Sequence, residues 1–461
     1  MSEKKQGMFV GENGKSLLFT FLLVSSLFFL WGVCNGMIDV MDKHFQTELG
    51  LSKSQSAWVQ FAHYLGYFLM AMPAGMLASR LGYKGGIIAG LLLVAVGGFW
   101  FLPATHINAL AQAGSVSPKT AFVGYLAGVC AIAAGLTFLE TVANPYTTVL
   151  GPTRYAATRI NLAQSCNGVG WIFGPIIGGM FFYSKDAVTG RSTGSETLYI
   201  PYVIVAVVVL VLAVVFYFAY IPDIKTEDDY HLDDTTPNVS HSIWKHPHFV
   251  AAVVAQFLYV AAQAGIFSFF INYMTAETPA IPESITANLL KSWFETNANG
   301  VVILSDKGAA NLASVGFFCF LVGRFSGAAI LKKFSAHKVL GIYGIMNVLM
   351  CLLVFLKLGW LSVTCVFLSY FFMSIMFPTI FALGIFGLGV RAKKASAYIV
   401  MAIMGGAVLP KLMGYVADQY DMSRGFIVPL FCFAFVALYG WMWPKFSGAE
   451  SLHGVKTAGG H

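Results

Sequence analysis

Charge is what this chain has least of. Asp, Glu, Lys and Arg supply 11% of its 461 residues, less than half the roughly 25% of a soluble domain. Its 28 basic and 21 acidic side chains are too few to solvate a globule of that length, which excludes a water-soluble enzyme. Cysteine is sparse too, and all seven (Cys34, Cys130, Cys166, Cys319, Cys351, Cys365 and Cys432) fall inside apolar segments. No loop pair is placed for an external disulfide, and no spacing matches a metal site. A cleavable leader is not expected either. The first sixteen residues are polar, and the apolar run behind them exceeds twenty residues without a small-residue cleavage signal. That pattern predicts a retained first span.

Apolar residues fill the sequence instead, at 57% of the chain and a mean hydropathy of +0.72. About 20 of them in a helix cross a bilayer. Twelve segments qualify, at approximately 17–41, 55–78, 86–102, 120–149, 158–183, 199–221, 249–274, 309–331, 339–356, 360–388, 395–417 and 425–443. Between the sixth and seventh lies a polar stretch carrying Asp223, Glu227, Asp228, Asp229, Asp233 and Asp234. It reads as a flexible acidic linker, 222–245, between an N-terminal half, 1–221, and a C-terminal half, 246–461. With the N-terminus inside, alternate loops place seventeen Lys and Arg in the cytoplasm and nine outside. Both termini are therefore expected to be cytoplasmic. The same bias explains the net charge of +7 without nucleic acid, and it puts the sequon at Asn238 out of reach of glycosylation.

The two halves echo each other. After the second segment comes Gly75-Met-Leu-Ala-Ser-Arg80-Leu-Gly82-Tyr-Lys84, and after the eighth a basic turn with Lys332, Lys333 and Lys338. Gly170, Gly174 and Gly178 stand four apart in the fifth segment, as do Gly406, Pro410 and Gly414 in the eleventh. Small residues at that spacing let helices approach closely. Repeated halves joined by a cytoplasmic loop are the plan of alternating-access transporters, with the substrate site expected near the midplane between them.

Gly75-x-Leu-Ala-x-Arg80-x-Gly82-x-Lys84 resembles the loop 2–3 signature of the major facilitator superfamily, with Ser79 in place of its usual Asp. Further motifs are Asn35-Gly-Met-Ile-Asp39, Leu139-Glu140-Thr-Val-Ala-Asn144-Pro145, Asn161-Leu-Ala-Gln164-Ser-Cys-Asn167, Gln256-Phe-Leu-Tyr259-Val-Ala-Ala-Gln263 and Phe377-Pro378-Thr-Ile-Phe. Together they resemble the fucose–galactose–glucose:proton symporter family of that superfamily, from the first segment to the last. The resemblance implies an all-α membrane protein with twelve transmembrane helices in two pseudo-symmetric six-helix halves. It implies residence in a bacterial inner membrane and a monosaccharide as substrate. It also implies that Asp39 and Glu140 are the proton-coupling pair. Phe267 departs from the pattern, where a Trp is expected, and so do Gly36 and Ile38, where Asn is expected. These departures fall where sugar identity should be decided, so fucose is not carried over as the substrate.

Ionisable groups inside a span cost about 2.5–3.5 kcal/mol on insertion scales and face a cavity or a partner. Glu140 reads as a carboxyl that binds and releases a proton, because burial disfavours its charged form. The alternative is a structural carboxylate bonded to a neighbouring helix. Asn144 lies one turn further on the same face. Asn35 shares a face with Asp39, for which the alternative is simple solvation beside Asp42 at the helix end. Asn161, Gln164 and Asn167 recur at intervals of three, and Gln256, Tyr259 and Gln263 at three and four. Amides both donate and accept, as sugar hydroxyls require, and Phe267 offers an apolar ring face to a pyranose. The plainer reading is that these amides hold the bundle together, at about 0.6 kcal/mol each. Lys411 either snorkels to the outer interface or pairs with a carboxylate. If that partner is Asp39 or Glu140, proton coupling changes. His63 carries an imidazole, whose unperturbed pKa lies near 6.5, and reads as a proton relay or a packing residue. Arg80, Lys84 and Arg324 read as gate or structural charges.

The leading expectation is therefore a secondary active transporter, not an enzyme. It would import a hexose-type monosaccharide by proton symport with rocker-switch alternating access. Sodium coupling and uncoupled passage remain alternatives in the same fold. A sugar receptor would not need two carboxyls in its spans. An enzyme would need a nucleophile–base pattern, which the longest external stretch, about 277–308, does not contain. No cofactor or metal is expected beyond the co-transported H⁺ (or Na⁺), and the partners are the sugar and the lipid bilayer, with the chain acting as a monomer.

Overall fold

A computed structural model of the chain describes residues 8–10, 14–151, 156–184, 193–221, 243–281, 293–296, 302–331, 334–386 and 392–447. The acidic linker as far as residue 242, with Asn238, lies outside them, as do Arg154, Lys332 and Lys333. The chain forms two compact units. One is Met1–Gly50 with Ala62–Asp228, and the other is Leu51–Phe61 with Asp229–His461.

The first unit holds α1 (Leu18–Leu49), α3 (Trp58–Phe99) from Ala62 onward, α4 (Phe101–Gln112), α5 (Pro118–Val149), α6 (Ala156–Phe181), α7 (Gly194–Thr197) and α8 (Tyr199–Phe218); the short α2 (Lys53–Ser56) and the first turn of α3 belong to the second. Local chemistry sets the ends. Ser117 caps α5 by accepting the Lys119 N–H, with Pro118 opening the helix. Gly50 closes α1 in the left-handed conformation, φ 63°. Two expected spans, 55–78 and 86–102, run together as α3, interrupted at Gly82 (φ 69°, ψ −178°), a conformation only glycine adopts without strain. The helix pair α1–α6 packs backbone to backbone. A Cβ on Gly32 would overlap the Asn167 carbonyl, and one on Gly170 the Phe29 carbonyl. Gly36 is held 2.9 Å, by the same measure, from the Trp171 carbonyl. The Asn expected at position 36 from the family pattern therefore has no room here, and Gly36 is a packing residue.

The second unit holds α9 (Pro247–Ser268), α10 (Phe270–Glu277), α11 (Asp306–Leu331), α12 (Ala336–Phe355), α13 (Trp360–Met373), α14 (Met376–Ile385), α15 (Ala392–Met401), α16 (Gly405–Gln419), α17 (Met422–Gly425) and α18 (Ile427–Ser447). Each of the twelve apolar segments carries a helix. Ten helices among the described residues are long and apolar enough to cross a membrane. The seventh, tenth and eleventh segments are broken within their length, and in the tenth the cause is legible. Pro378 has no N–H to give the Ser374 carbonyl four residues back, and the chain turns between α13 and α14 there. One departure from an all-helical chain lies in the stretch 277–308, where Phe294–Thr296 pairs antiparallel with Val302–Leu304.

At one end of this unit the Lys357 ammonium sits 3.0 Å from Asp421 and 3.4 Å from Glu277. It ties α10, the α12–α13 turn and the start of α17 together. Burial alone would raise the Asp421 carboxyl. The Arg424 N–H and the Lys357 ammonium outweigh it and hold that carboxyl below its ordinary value. Burial would lower Lys357, but its two carboxylate neighbours raise it.

Candidate functional site

In the first unit Trp31, Asn35 and Asp39 recur every fourth residue of α1 and so share a face. Trp31 Nε1 donates to the Tyr67 hydroxyl of α3 at 2.6 Å. Asn35 and Glu140 both lie within electrostatic reach of that hydroxyl. Asn35 is buried, and its Oδ1 has no hydrogen-bond partner among the described residues. Glu140, half-buried on α5, opens on a small recess lined also by Leu27, Phe28, Trp31, Leu139 and Ala143. Its free volume is about 10 Å³, room for about one water molecule, so it is a contact surface and not a complete ligand pocket. Two aromatic rings supply apolar faces, and one carboxyl and one amide supply polar contacts. That is the chemistry a sugar presents, with hydroxyls around an apolar ring face.

Asp39 and Asp42 are both buried, 6% and 0% exposed, so neither is a solvated helix-end carboxylate. His63 is buried with its ring 5.0 Å from that of Tyr67 and 5.2 Å from that of Tyr64, which places it behind the Trp31–Tyr67 pair. On α6, Gln164 is half-buried, while Asn167 Nδ2 donates to the Phe28 carbonyl at 3.3 Å and braces α1 directly beside the recess. The side chains of Asn144 and Asn161 lie outside the described residues.

In the second unit Gln256 is fully buried, and neither of its amide atoms has a partner among the described residues. Gln263, two turns on, is half-buried. Tyr259 donates to the Met373 carbonyl at 2.9 Å, and Arg324 Nε to the Ser374 carbonyl at 3.4 Å while stacking 4.9 Å over Phe320. These are the carbonyls left at the α13–α14 break, so both side chains cap a broken helix. Phe267 is buried in an aromatic cluster, stacked at 4.5 Å on Tyr370 with Phe317 at 4.9 Å edge-on.

The remaining charges have definite places. Lys84 Nζ donates to the Ala219 carbonyl at 3.1 Å and closes the C-terminus of α8. Arg80 is exposed. Lys411 stands 3.9 Å over the ring of Trp58, its neighbour within the second unit. Among the described residues, no group of three or more His, Cys, Asp or Glu is arranged to hold a metal ion.

Trp31, Phe28 and Tyr67 were not singled out as functional in the sequence. Trp31 carries a signal that could have found it, since it extends the Asn35–Asp39 spacing by one turn. Tyr67 carries none, because its proximity to Glu140 is a tertiary fact.

A family profile described as the Major Facilitator Superfamily matches residues 20–282. The chain is 33% identical over 446 residues to the L-fucose-proton symporter of Escherichia coli K12, covering 93% of each chain. It is 29% identical over 429 residues to a glucose/galactose transporter of Brucella abortus, covering 93% of this chain and 95% of that one. It is also similar to the crystal structure of a superfamily transporter, FucP, in the outward conformation (TM-score 0.63, 33% identity, 92% of this chain and 99% of that one). A D-xylose-proton symporter structure shares the fold at TM-score 0.67 and 14% identity, covering 95% of this chain and all of that one.

Proposed function

The chain belongs to the major facilitator superfamily, and we propose that within it the protein imports a hexose-type monosaccharide together with a proton by alternating access. The observation that carries this reading is the recess at Glu140. A carboxyl in the interior of a span shares its surroundings with a tryptophan, a tyrosine hydroxyl and a buried amide. Likeness to proton symporters and sugar transporters over more than nine-tenths of the chain supports it.

Asp39 and Glu140 exchange the proton. Asn35, Asn144, Asn161, Gln164 and Asn167 from the N-terminal half (1–221), and Gln256, Tyr259, Gln263 and Phe267 from the C-terminal half (246–461), recognise the sugar. Trp31 and Phe28 join them as ring faces. Asn167 and Tyr259 serve by bracing backbone that carries other contacts, because their polar atoms are committed to the Phe28 and Met373 carbonyls. Arg80, Lys84 and Arg324 are gate or structural charges. The protein works as a monomer in a bacterial inner membrane, with both termini in the cytoplasm.

The test is uptake by reconstituted liposomes of labelled fucose, galactose, glucose, mannose and amino sugars under imposed gradients. Accumulation of at least one of them should follow an inward proton gradient and collapse when a protonophore removes it. Uptake that ignores the proton gradient and follows sodium would overturn the proton assignment, and no uptake of any of these sugars would overturn the substrate class.

A further inference from the structure

Met8, Phe9 and Val10, ahead of α1, are half-buried against the first unit and fastened to it by backbone and ring. Val10 pairs with Ser16 in an antiparallel bridge, and the Phe9 carbonyl accepts the Leu17 N–H at 2.7 Å. Leu17 is the N-cap of α1 and offers no side-chain cap. Phe9 therefore satisfies one of the N–H groups that a helix start leaves without a partner. The Phe9 ring lies 4.8 Å from that of Phe21 in the first turn of α1. The Met8 carbonyl accepts from Arg159 Nη1 of α6 at 3.2 Å. Arg159 is fully buried, and its Nε and Nη2 donate to carbonyls at the end of α5, that of Thr147 at 3.0 Å and that of Gly151 at 3.2 Å. Burial leaves those donors no water to turn to, so the guanidinium depends on each carbonyl. Gly151, at φ 136°, makes room for the segment, because a Cβ there would stand 2.6 Å from the Met8 carbonyl oxygen.

The segment thus joins the start of α1 to the end of α5 and, through Arg159, to the start of α6. That junction matters because the helices around the recess are locked in pairs. The glycine contacts described above lock α1 to α6. Glycines lock α3 to α5 in the same way: a Cβ on Gly66 would stand 2.5 Å from the Cys130 carbonyl oxygen, and one on Gly135 2.5 Å from the Val94 nitrogen. The recess lies between the pairs, with Leu27, Phe28 and Trp31 from α1 on one side and Leu139, Glu140 and Ala143 from α5 on the other. Glu140 stands two turns, about 10 Å, from Thr147 along α5. What holds the end of α5 to α1 and α6 therefore bears on where Glu140 stands.

We propose that Met8–Val10 and Arg159 form a brace that sets the spacing of the two locked pairs and so positions Glu140 across the recess from Trp31 and Phe28. They act through α5 and are positioning residues, which touch neither sugar nor transported proton. The effect on transport rests on the transport reading above; the effect on the recess does not.

The test uses the full chain with Phe9→Ala, which loosens the segment at a ring outside every helix, and with Arg159→Lys, which keeps the charge but loses the planar fork. In liposomes each variant should raise the KM for sugar several-fold, and Phe9→Tyr should keep the parent value. Should Arg159→Lys fail to fold, Phe9→Ala alone decides. A segment that merely supports the fold would lower the amount of active protein, and with it the maximal rate, at an unchanged KM. That result would overturn the proposal.

If the parent protein transports no sugar, the transport reading has failed, and the brace is judged at the recess itself. Ala143→Cys places a thiol in its lining. A small maleimide should label that thiol, counted above the native cysteines, several-fold faster when Phe9→Ala is also present, because a loosened brace raises the population of open arrangements. Equal labelling rates in the two backgrounds would overturn the brace.

Discussion

At the scale of single residues, the polar groups of the spans divide by what they touch. Tyr259, Arg324 and Asn167 satisfy backbone carbonyls exposed by a helix break or held at a close helix crossing, and each spares the fold a buried acceptor without a donor. Glu140 instead faces the recess, and both it and Asn35 lie within electrostatic reach of the Tyr67 hydroxyl. Gly36 shows how a residue can stand near a site for a reason of packing. Replacing it by Asn should force α1 from the Trp171 carbonyl, with an overpacking cost on the order of 1–3 kcal/mol. A clearly lower melting temperature of the purified Gly36→Asn protein would show this, and an unchanged one would mean that α1 and α6 are not locked as described. That Glu140 needs a partner or a role was legible from the sequence, because a carboxylate within twenty apolar residues demands an account. The role of Gly36 was not, since glycine leaves no chemical signature and its constraint comes from a helix more than a hundred residues away.

At the scale of elements, apolar length located helical segments, ten of them long and apolar enough to span among the described residues, but not their interruptions. Gly82 and Pro378 could be read as breakers, and both act as such. The break at Phe269 has no Gly or Pro at it, whereas the one at Ala402–Met404 lies directly before Gly405-Gly406. Helix ends, by contrast, follow local rules, and polar side chains finish them. Arg159, fully buried, donates to the Thr147 and Gly151 carbonyls at the end of α5, as Lys84 does at the end of α8. The Lys357 cluster does similar work between α10, α12 and α17, and its pH dependence has a definite sign.

Asp421 is held below its ordinary value of 3.8, so its contribution is present above that value and is lost as pH falls through the lower folded one. Lys357 is raised above 10.5, so its contribution is complete below that value and is lost only as pH rises beyond it. The melting-temperature difference between the parent and Asp421→Asn should therefore be constant from about pH 5 to about pH 9 and shrink in stronger acid. A difference that varies across the neutral range would contradict the cluster.

At the scale of the whole molecule, scarcity of charge is the organising fact. With 49 ionised side chains in 461 residues, each one inside a span stands out. Arg324 is fastened to a carbonyl and a phenyl ring. Lys411 is fastened to Trp58. Asp39 is buried on the face of α1 that carries Trp31 and Asn35, and Glu140 opens on the recess. The two cations thus have structural work, and the two carboxyls are the proton carriers proposed above. The sequence made that division only in part. It marked the four positions, and the ring under Lys411 had to be found in the fold, because Trp58, at the start of α3, lies far away along the chain.

The most direct measurement of proton coupling is the pH of a lightly buffered medium outside liposomes or cells when sugar is added. The parent protein should draw protons inward with the sugar and make the medium more alkaline. Glu140→Gln should abolish that change while the protein remains folded, as judged by its melting temperature. Sugar-dependent alkalinisation that persists in Glu140→Gln at the parent's rate would contradict the assignment of Glu140 as a proton carrier.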